Sequence, residues 1–283
     1  MKQYKIFVLF FSFCQGTFLY AQQIKTQEYI YSQKGNIELK AYLFSKDSID
    51  NKTDLPAIVI FHGGGWAYGD ASWSFGRAKH FANLGFVSVA AQYRLSDQKE
   101  ITPLEAMEDA KEIIKWMRTN SSLLKIDPNK IVGYGWSAGA HLVVSAALFA
   151  DSNSSTYSSP NALILVSPAV SLEKDNWFRQ LLLNRIEVSK VSPDKNIKKG
   201  LPPTLILQGR EDTVTPLVGV QNFANQMKAN GNICELIIYD NVGHLFTPSS
   251  EPDSGFPNPD KKIQSMTYEK ADEFLRSLGY INK

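Results

Sequence analysis

Cysteine is scarce in this sequence. The 283 residues include two, Cys14 and Cys234. Because Cys14 lies in an N-terminal stretch that we expect to be removed, one cysteine remains and no intrachain disulfide can form. A disulfide-stabilised scaffold is therefore excluded, and the stability of the fold must come from its core.

An excess of charge of either sign is also missing. The chain has 30 basic and 28 acidic side chains, and two of the lysines lie in the N-terminal stretch, so the remainder is balanced. This balance gives no reason to expect a nucleic-acid partner. Hydrophobic residues make up 43% of the chain and charged residues 20%, which is typical of a globular protein with room for one large α/β domain.

A hydrophobic run long enough to cross a membrane is absent as well. The apolar residues 6–13 follow two lysines and are interrupted at Gln15-Gly16, well short of the ~20 residues that a spanning helix needs. A weaker segment then ends at Ala21. This pattern predicts a signal peptide over residues 1–21 and an exported protein, periplasmic or secreted, without stable membrane insertion after cleavage. A retained anchor or, through Cys14, a lipoprotein is the alternative.

Strand and helix patterns alternate along the rest of the chain. A hairpin pattern around Lys34-Gly35-Asn36 precedes six short, mostly continuous apolar runs, which are typical of strands buried on both faces of a largely parallel sheet. The predicted strands are residues 28–32, 37–44, 55–61, 86–91, 130–134, 162–166, 204–207 and 234–239. The predicted helices are residues 74–84, 103–119, 138–149, 216–229 and 263–278. We expect one α/β domain over residues 22–283, a mostly parallel eight-stranded sheet with helices on both faces.

Two long segments interrupt this alternation. We interpret residues 171–203 as a small cap insertion over the ligand site, and residues 247–260 as a surface loop beside it, since long loops in compact domains are often functional. The alternative is that either segment has no role in function.

Gly135-Trp136-Ser137-Ala138-Gly139 directly follows a predicted strand and leads into a predicted helix. Such a strand–turn–helix context is what a nucleophile elbow requires, because a Cβ at either glycine would collide with neighbouring backbone. The motif therefore predicts Ser137 as a catalytic nucleophile at the carboxyl edge of the sheet.

A serine nucleophile needs an imidazole base and a carboxylate that orients the imidazole. Asp212 and His244 each follow a later predicted strand, and the order Ser, Asp, His is the one used by α/β-hydrolases. The weaker alternatives are the carboxylates of Glu211 and Asp240 and the imidazoles of His62, His80 and His141. We expect His141, one turn beyond Ser137, to have a packing or hydrogen-bonding role.

Three consecutive glycines follow the strand that ends at Phe61, in the segment His62-Gly63-Gly64-Gly65-Trp66. The backbone N–H groups of Gly64 and Gly65, together with that of Ala138, could bind the oxyanion of a tetrahedral intermediate. A phosphate-binding loop would need spaced glycines and a lysine, which this segment lacks. We expect His62 to tie down the loop and predict neither metal nor cofactor.

These motifs resemble the esterase branch of the α/β-hydrolases, which includes the hormone-sensitive-lipase-like HGGG group and acetylxylan/feruloyl esterase-like proteins. The resemblance runs from about Glu28 to the C-terminus. It implies hydrolysis of short acyl or aryl esters without a cofactor. Trp136 stands where the lipase-like group usually has Asp, which favours the carbohydrate-esterase and prolyl-peptidase-like side. Asp109 resembles a family position that we interpret as structural.

The expected function is therefore ester hydrolysis through an acyl-enzyme, on a small-molecule or oligosaccharide ester such as an acetylated or feruloylated sugar. Aromatic residues near the motifs could form a platform for the substrate: Trp66, Tyr68, Trp73, Trp136, Trp177, Phe178 and Phe246. We assign Trp66 and Trp136 as substrate-binding. A prolyl-oligopeptidase-like peptidase and a catalytically silent binding protein remain as alternatives, and the oligomeric state stays open.

Overall fold

The computed structural model of the protein describes residues 23–46, 53–150, 157–253 and 255–281. The predicted signal peptide, residues 1–21, lies outside the described residues. None of the helices in the described ranges is both long enough and apolar enough to cross a membrane.

The described residues form an eight-stranded sheet in the order β1-β2-β4-β3-β5-β6-β7-β8. Strands β1 and β2 pair antiparallel, as do β2 and β4, and every other neighbouring pair is parallel. The strands are β1 Ile24–Lys34, β2 Ile37–Lys46, β3 Leu55–Phe61, β4 Val87–Ala91, β5 Ile126–Trp136, β6 Ala162–Val166, β7 Thr204–Gly209 and β8 Cys234–Tyr239. The predicted fold class, a mostly parallel eight-stranded α/β sheet, is confirmed.

Burial explains why the apolar runs marked the strands so well. Every residue of β4, β6 and β7 is buried, as expected for strands covered by helices on both faces. The prediction missed residues 126–129 at the start of β5, because Asp127, Pro128 and Asn129 interrupt the apolar run and are partly exposed or exposed. That stretch pairs through Ile126 with Leu55, across a register shift.

Helices cover both faces of the sheet, as predicted. The buried residues of α2, α4 and α6 belong to one core cluster and those of α1 and α7 to the other. The helices are α1 Phe75–Asn83, α2 Pro103–Thr119, α3 Ser121–Leu124, α4 Ala138–Leu148, α5 Asn176–Leu181, α6 Leu217–Ala229 and α7 Lys261–Ser277. Helix α4 is buried along its whole length, because it is apolar on every side.

Residues 171–203 are packed against the domain. They contain α5 and two single turns of 3₁₀ helix, Val188–Lys190 and Pro193–Lys195. Asp175 caps α5 by accepting a hydrogen bond from the Phe178 N–H at 2.9 Å, and Phe178 and Leu181 are buried in the core. A six-residue helix is too short for a periodicity argument, so α5 was not predicted.

A buried ion pair joins α2 to the segment that follows β4. The Arg94 guanidinium donates to both oxygens of Asp109, at 2.6 to 3.0 Å, and the Arg94 backbone N–H adds a bond of 2.9 Å. Burial raises the pKa of Asp109 even though Arg94 opposes the shift. Removing one partner of such a pair leaves an uncompensated buried charge, so the contact fixes α2 against the sheet.

Candidate active site

Ser137 occupies a strained turn between β5 and α4. Its backbone has φ 53° and ψ −121°, a combination that residues other than glycine rarely adopt. A Cβ at Gly135 would overlap the backbone of Gly139, and a Cβ at Gly139 would overlap the carbonyl oxygens of Phe61 and His62. The flanking glycines are therefore required by close backbone contacts, on the side of β3 as well as within the turn.

The structure brings Ser137, His244 and Asp212 together. The Ser137 Oγ lies 3.1 Å from His244 Nε2, and His244 Nδ1 lies 3.0 Å from Asp212 Oδ2. All three side chains are buried. This is the geometry that a nucleophile, a base and an orienting carboxylate require.

The alternative carboxylates have other partners. Glu211 accepts a hydrogen bond from the Val242 N–H at 3.1 Å, and Asp240 pairs with Arg210. Neither bond involves His244. Asp212 is thus the carboxylate that meets the imidazole.

Four donors hold the Asp212 carboxylate. Oδ1 accepts from the backbone N–H groups of Val214 and Thr215, at 3.0 and 2.7 Å. Oδ2 lies 3.1 Å from the Gln208 amide nitrogen and 2.9 Å from the Thr215 hydroxyl. Because each donor meets a defined oxygen, this set fixes the orientation of the carboxylate towards the imidazole. Sequence reasoning missed Gln208 and Thr215, although an Asp followed by loop residues is a signal for this kind of turn.

A planar peptide lets His62 orient the N–H of Gly64. The His62 Nδ1–H donates to the Gly63 carbonyl at 2.6 Å, and the N–H of Gly64 belongs to the same peptide unit. In a trans peptide the C=O and N–H point in opposite directions. The imidazole behind the loop therefore sets where the Gly64 N–H points, which agrees with the tying role expected of His62.

The next peptide unit is held in the same way. The Gly64 carbonyl accepts from the N–H groups of Ala67 and Tyr68, at 3.2 and 2.9 Å, and this orients the N–H of Gly65 on the opposite side. The N–H groups of Gly64, Gly65 and Ala138 donate to no acceptor within the described ranges. Both glycines line the cavity that contains Ser137, so three donors are available to an oxyanion there.

His141 is part of the packing behind the site. The Trp66 indole N–H donates to His141 Nδ1 at 3.1 Å, and His141 Nε2 contacts the Val191 carbonyl at 3.1 Å. One nitrogen accepts and the other donates, which fixes the neutral tautomer. Burial lowers the pKa of His141 to about 4, and burial lowers that of His62 to about 4 as well.

A cavity of about 1450 Å³ opens over Ser137 and His244. Aromatic rings stand at its rim. Tyr68 and Trp177 stack nearly parallel, with centroids 6.3 Å apart, and Trp73 contacts Phe256 edge to face at 6.1 Å. The Trp177 indole N–H also donates to the Gly65 carbonyl at 2.9 Å, so the segment 171–203 is attached to the glycine loop.

Trp66 and Trp136 border the cavity, yet they are only 2% and 5% exposed. Trp66 packs against His141 and Phe178, and the Arg77 guanidinium covers the Trp136 ring at 4.2 Å. Each offers the cavity little open ring surface. The accessible aromatic surface belongs instead to other rim residues, because exposure depends on tertiary packing. The sequence indicated Tyr68, Trp73 and Trp177 as platform candidates and gave no signal for Phe256.

Comparisons with known proteins show the family to which this chain belongs. A family model described as BD-FAE matches residues 47–227. The structure of Thermogutta terrifontis esterase 2 phosphoramylated by tabun has a TM-score of 0.81 and 32% identity, covering 91% of this chain and 96% of that one. The same esterase with propionate bound has a TM-score of 0.80 and 31% identity, with the same coverage. The resemblance to α/β-hydrolase esterases is confirmed.

Two curated relatives are longer proteins. The isoprenylcysteine alpha-carbonyl methylesterase of Arabidopsis thaliana is 26% identical over an alignment of 254 residues, and the match covers 81% of this chain and 58% of that protein. Endo-1,4-beta-xylanase B of Butyrivibrio fibrisolvens is 29% identical over an alignment of 205 residues, and the match covers 67% of this chain and 31% of that protein. The chain thus spans little more than half of the first relative and about a third of the second.

The two buried imidazoles predict a pH dependence of stability. Their folded-state pKa of about 4 lies below the ordinary value of about 6.5, so the unfolded chain binds more protons between these values. The unfolding free energy therefore decreases as the pH is lowered from 7 towards 4. Each histidine should cost about 2 kcal/mol of unfolding free energy between pH 7 and pH 5. Urea titrations at both values should show that His141→Gln removes about half of this fall. Equal falls in variant and wild type would contradict the prediction.

Proposed function

Since this chain belongs to the BD-FAE family, we propose that it is an exported serine esterase that hydrolyses short acyl or aryl esters carried by carbohydrates. The observation that carries the proposal is the Ser137–His244–Asp212 chain of contacts, 3.1 and 3.0 Å long, beside three unpaired N–H donors. No cofactor enters the proposed reaction.

In the proposed cycle His244 Nε2 takes the proton from Ser137 as its oxygen attacks the ester carbonyl. The N–H groups of Gly64, Gly65 and Ala138 bind the oxyanion that forms. Asp212 holds the imidazole in the required tautomer and stabilises its protonated form. His244 then gives the proton to the departing alcohol, and a water molecule activated by the same imidazole hydrolyses the acyl-enzyme.

Different observations support the acyl group and the alcohol of the proposed substrate. Propionate and butyrate are bound in structures of the Thermogutta esterase, which favours a short acyl group here. The name of the Butyrivibrio relative favours a polysaccharide environment. The aromatic rim, with Tyr68 60% exposed and Trp73 41% exposed, offers apolar ring faces on which a sugar or an aryl group could stack.

Ser137→Ala should lower kcat for p-nitrophenyl acetate by about 10⁴-fold or more, since removal of a triad nucleophile leaves only binding and the oxyanion donors. Asp212→Asn should lower kcat by about 10³- to 10⁴-fold, because it stabilises the wrong tautomer of the imidazole.

Ser145, a buried serine two turns along α4, provides the matched control for Ser137→Ala. Ser145→Ala should stay within about twofold of wild type. Near-normal turnover by Ser137→Ala would refute the nucleophile.

The carbohydrate substrate is tested by a comparison of esters. Acetylated and feruloylated oligosaccharides should be hydrolysed with higher kcat/KM than simple p-nitrophenyl esters of the same acyl group, because the rim contacts the leaving group. Activity should also fall as the acyl chain of the simple esters lengthens. Faster cleavage of a proline-containing dipeptidyl substrate than of any ester would favour the peptidase alternative instead.

Export is tested by the N-terminus of the protein in the cell. Cleavage of the predicted signal peptide after Ala21 should give a chain outside the cytoplasm that begins at Gln22. N-terminal sequencing of the fractionated protein gives the answer. Exported protein that still carries residues 1–21 would show that the segment is retained.

A further inference from the structure

Asp253, in the loop of residues 247–260, bonds to both loops that carry the acid and the base. Its Oδ1 accepts from the His244 backbone N–H at 2.9 Å. Its Oδ2 accepts from the backbone N–H and from the hydroxyl of Thr213, each at 2.9 Å. Thr213 is the residue next to Asp212, so one carboxylate contacts the acid loop with one oxygen and the base loop with the other.

The two loops leave different strands and need such a connection. The acid loop follows β7, the base loop follows β8, and a backbone bond of 3.1 Å from the Glu211 N–H to the Val242 carbonyl joins them near the strand ends. Beyond that bond, the carboxylate of Asp253 bridges them at the residues adjoining Asp212 and His244. The 3.0 Å contact between His244 and Asp212 depends on the distance between the acid loop and the base loop.

Gly243 shows how closely Asp253 approaches the base loop. Its φ of −97° lies outside the left-handed region in which glycine is favoured. The three atoms nearest to an added Cβ, however, all belong to the Asp253 carboxylate, and they are too close for any side chain. Here the glycine makes room for Asp253.

The charge state of Asp253 suits this arrangement. Burial raises the pKa of the carboxyl, but the bonds donated by the N–H groups of Thr213 and His244 more than offset it, so the pKa of Asp253 lies below its ordinary value. An ionised carboxylate has only acceptor sites, and these can serve all three donors. A neutral amide of the same shape would place a donor against one of the N–H groups.

We propose that Asp253 is a positioning residue of the active site, which holds the acid and base loops at the separation that catalysis requires. The proposal rests on the roles given above to Asp212 and His244. Displacing a catalytic group by about 1 Å can cost on the order of 10²-fold in rate. Asp253 also lines the cavity, and the kinetics separate the two roles. Loss of positioning lowers kcat, whereas loss of a substrate contact raises KM.

Asp253→Ala and Asp253→Asn should each lower kcat for p-nitrophenyl acetate by about 10- to 100-fold with KM within about twofold of wild type. Paraoxon, whose burst of p-nitrophenol counts reactive serines, should give full amplitude at a lower rate. The matched control is Glu251→Gln, since the Glu251 carboxylate bonds to Asn258 within the same loop. It should keep the wild-type kcat.

Gly243→Ala provides a second and independent test. Alone, it should displace the carboxylate and lower kcat as much as Asp253→Ala does. In the Asp253→Ala background the three atoms nearest to the added Cβ are gone, so Gly243→Ala should add no more than about a twofold loss. Multiplying losses in the double variant would overturn the proposal, as would a kcat within twofold of wild type for Asp253→Ala.

Two further outcomes would also overturn it. One is an equal loss in Glu251→Gln, and the other is a lower activity fully explained by a smaller paraoxon burst, because both indicate a loop that merely supports folding. Failure of the proposed triad has a different signature, since Ser137→Ala would then retain activity and the paraoxon burst. If Ser137→Ala is inactive and Asp253→Ala is normal, the triad stands and Asp253 has no positioning role.

Discussion

The active site depends on one close approach of two backbones. The first turn of α4 lies against the end of β3, where Gly139 faces the carbonyl oxygens of Phe61 and His62 with no room for a Cβ. This contact brings the turn that carries Ser137 beside the glycine loop that follows β3. The proposed nucleophile and two of the three proposed oxyanion donors, those of Gly64 and Gly65, come from segments about 70 residues apart in the chain. Their spacing is set by packing of main chain on main chain.

The two segments that interrupt the strand–helix alternation each contact a different half of this site. The segment 171–203 reaches the glycine loop through the bond from Trp177 to the Gly65 carbonyl. The loop 247–260 reaches the acid and base loops through Asp253. Both segments also carry rings at the cavity rim, Trp177 and Phe256. Sequence changes that reshape the rim therefore act close to residues that hold the catalytic groups.

Much of this architecture was predictable because its signals are local. Strands β3, β6 and β8 have the bounds that their apolar runs indicated. The two glycines that flank Ser137 likewise indicated the tight turn, because no other residue fits where the backbones approach so closely. The contacts of Trp177 and Asp253 were not predictable, since each joins residues that are distant in sequence and has no periodicity. The assignment of Trp66 and Trp136 as substrate-binding residues could not take their burial into account, because the burial of an indole depends on neighbours distant in sequence, such as Phe178 and Arg77.

The peptide units that orient Gly64 and Gly65 have a consequence for how the sequence can change over evolution. The groups proposed to face the reacting carbonyl are main-chain N–H groups, and those that hold the Gly64 carbonyl are the N–H groups of Ala67 and Tyr68. Every amino acid except proline supplies such a donor. Position 68, where Tyr68 is exposed at the rim, can therefore accept many side chains while the donor geometry persists. The cavity rim can then diversify towards new esters without loss of the proposed oxyanion site.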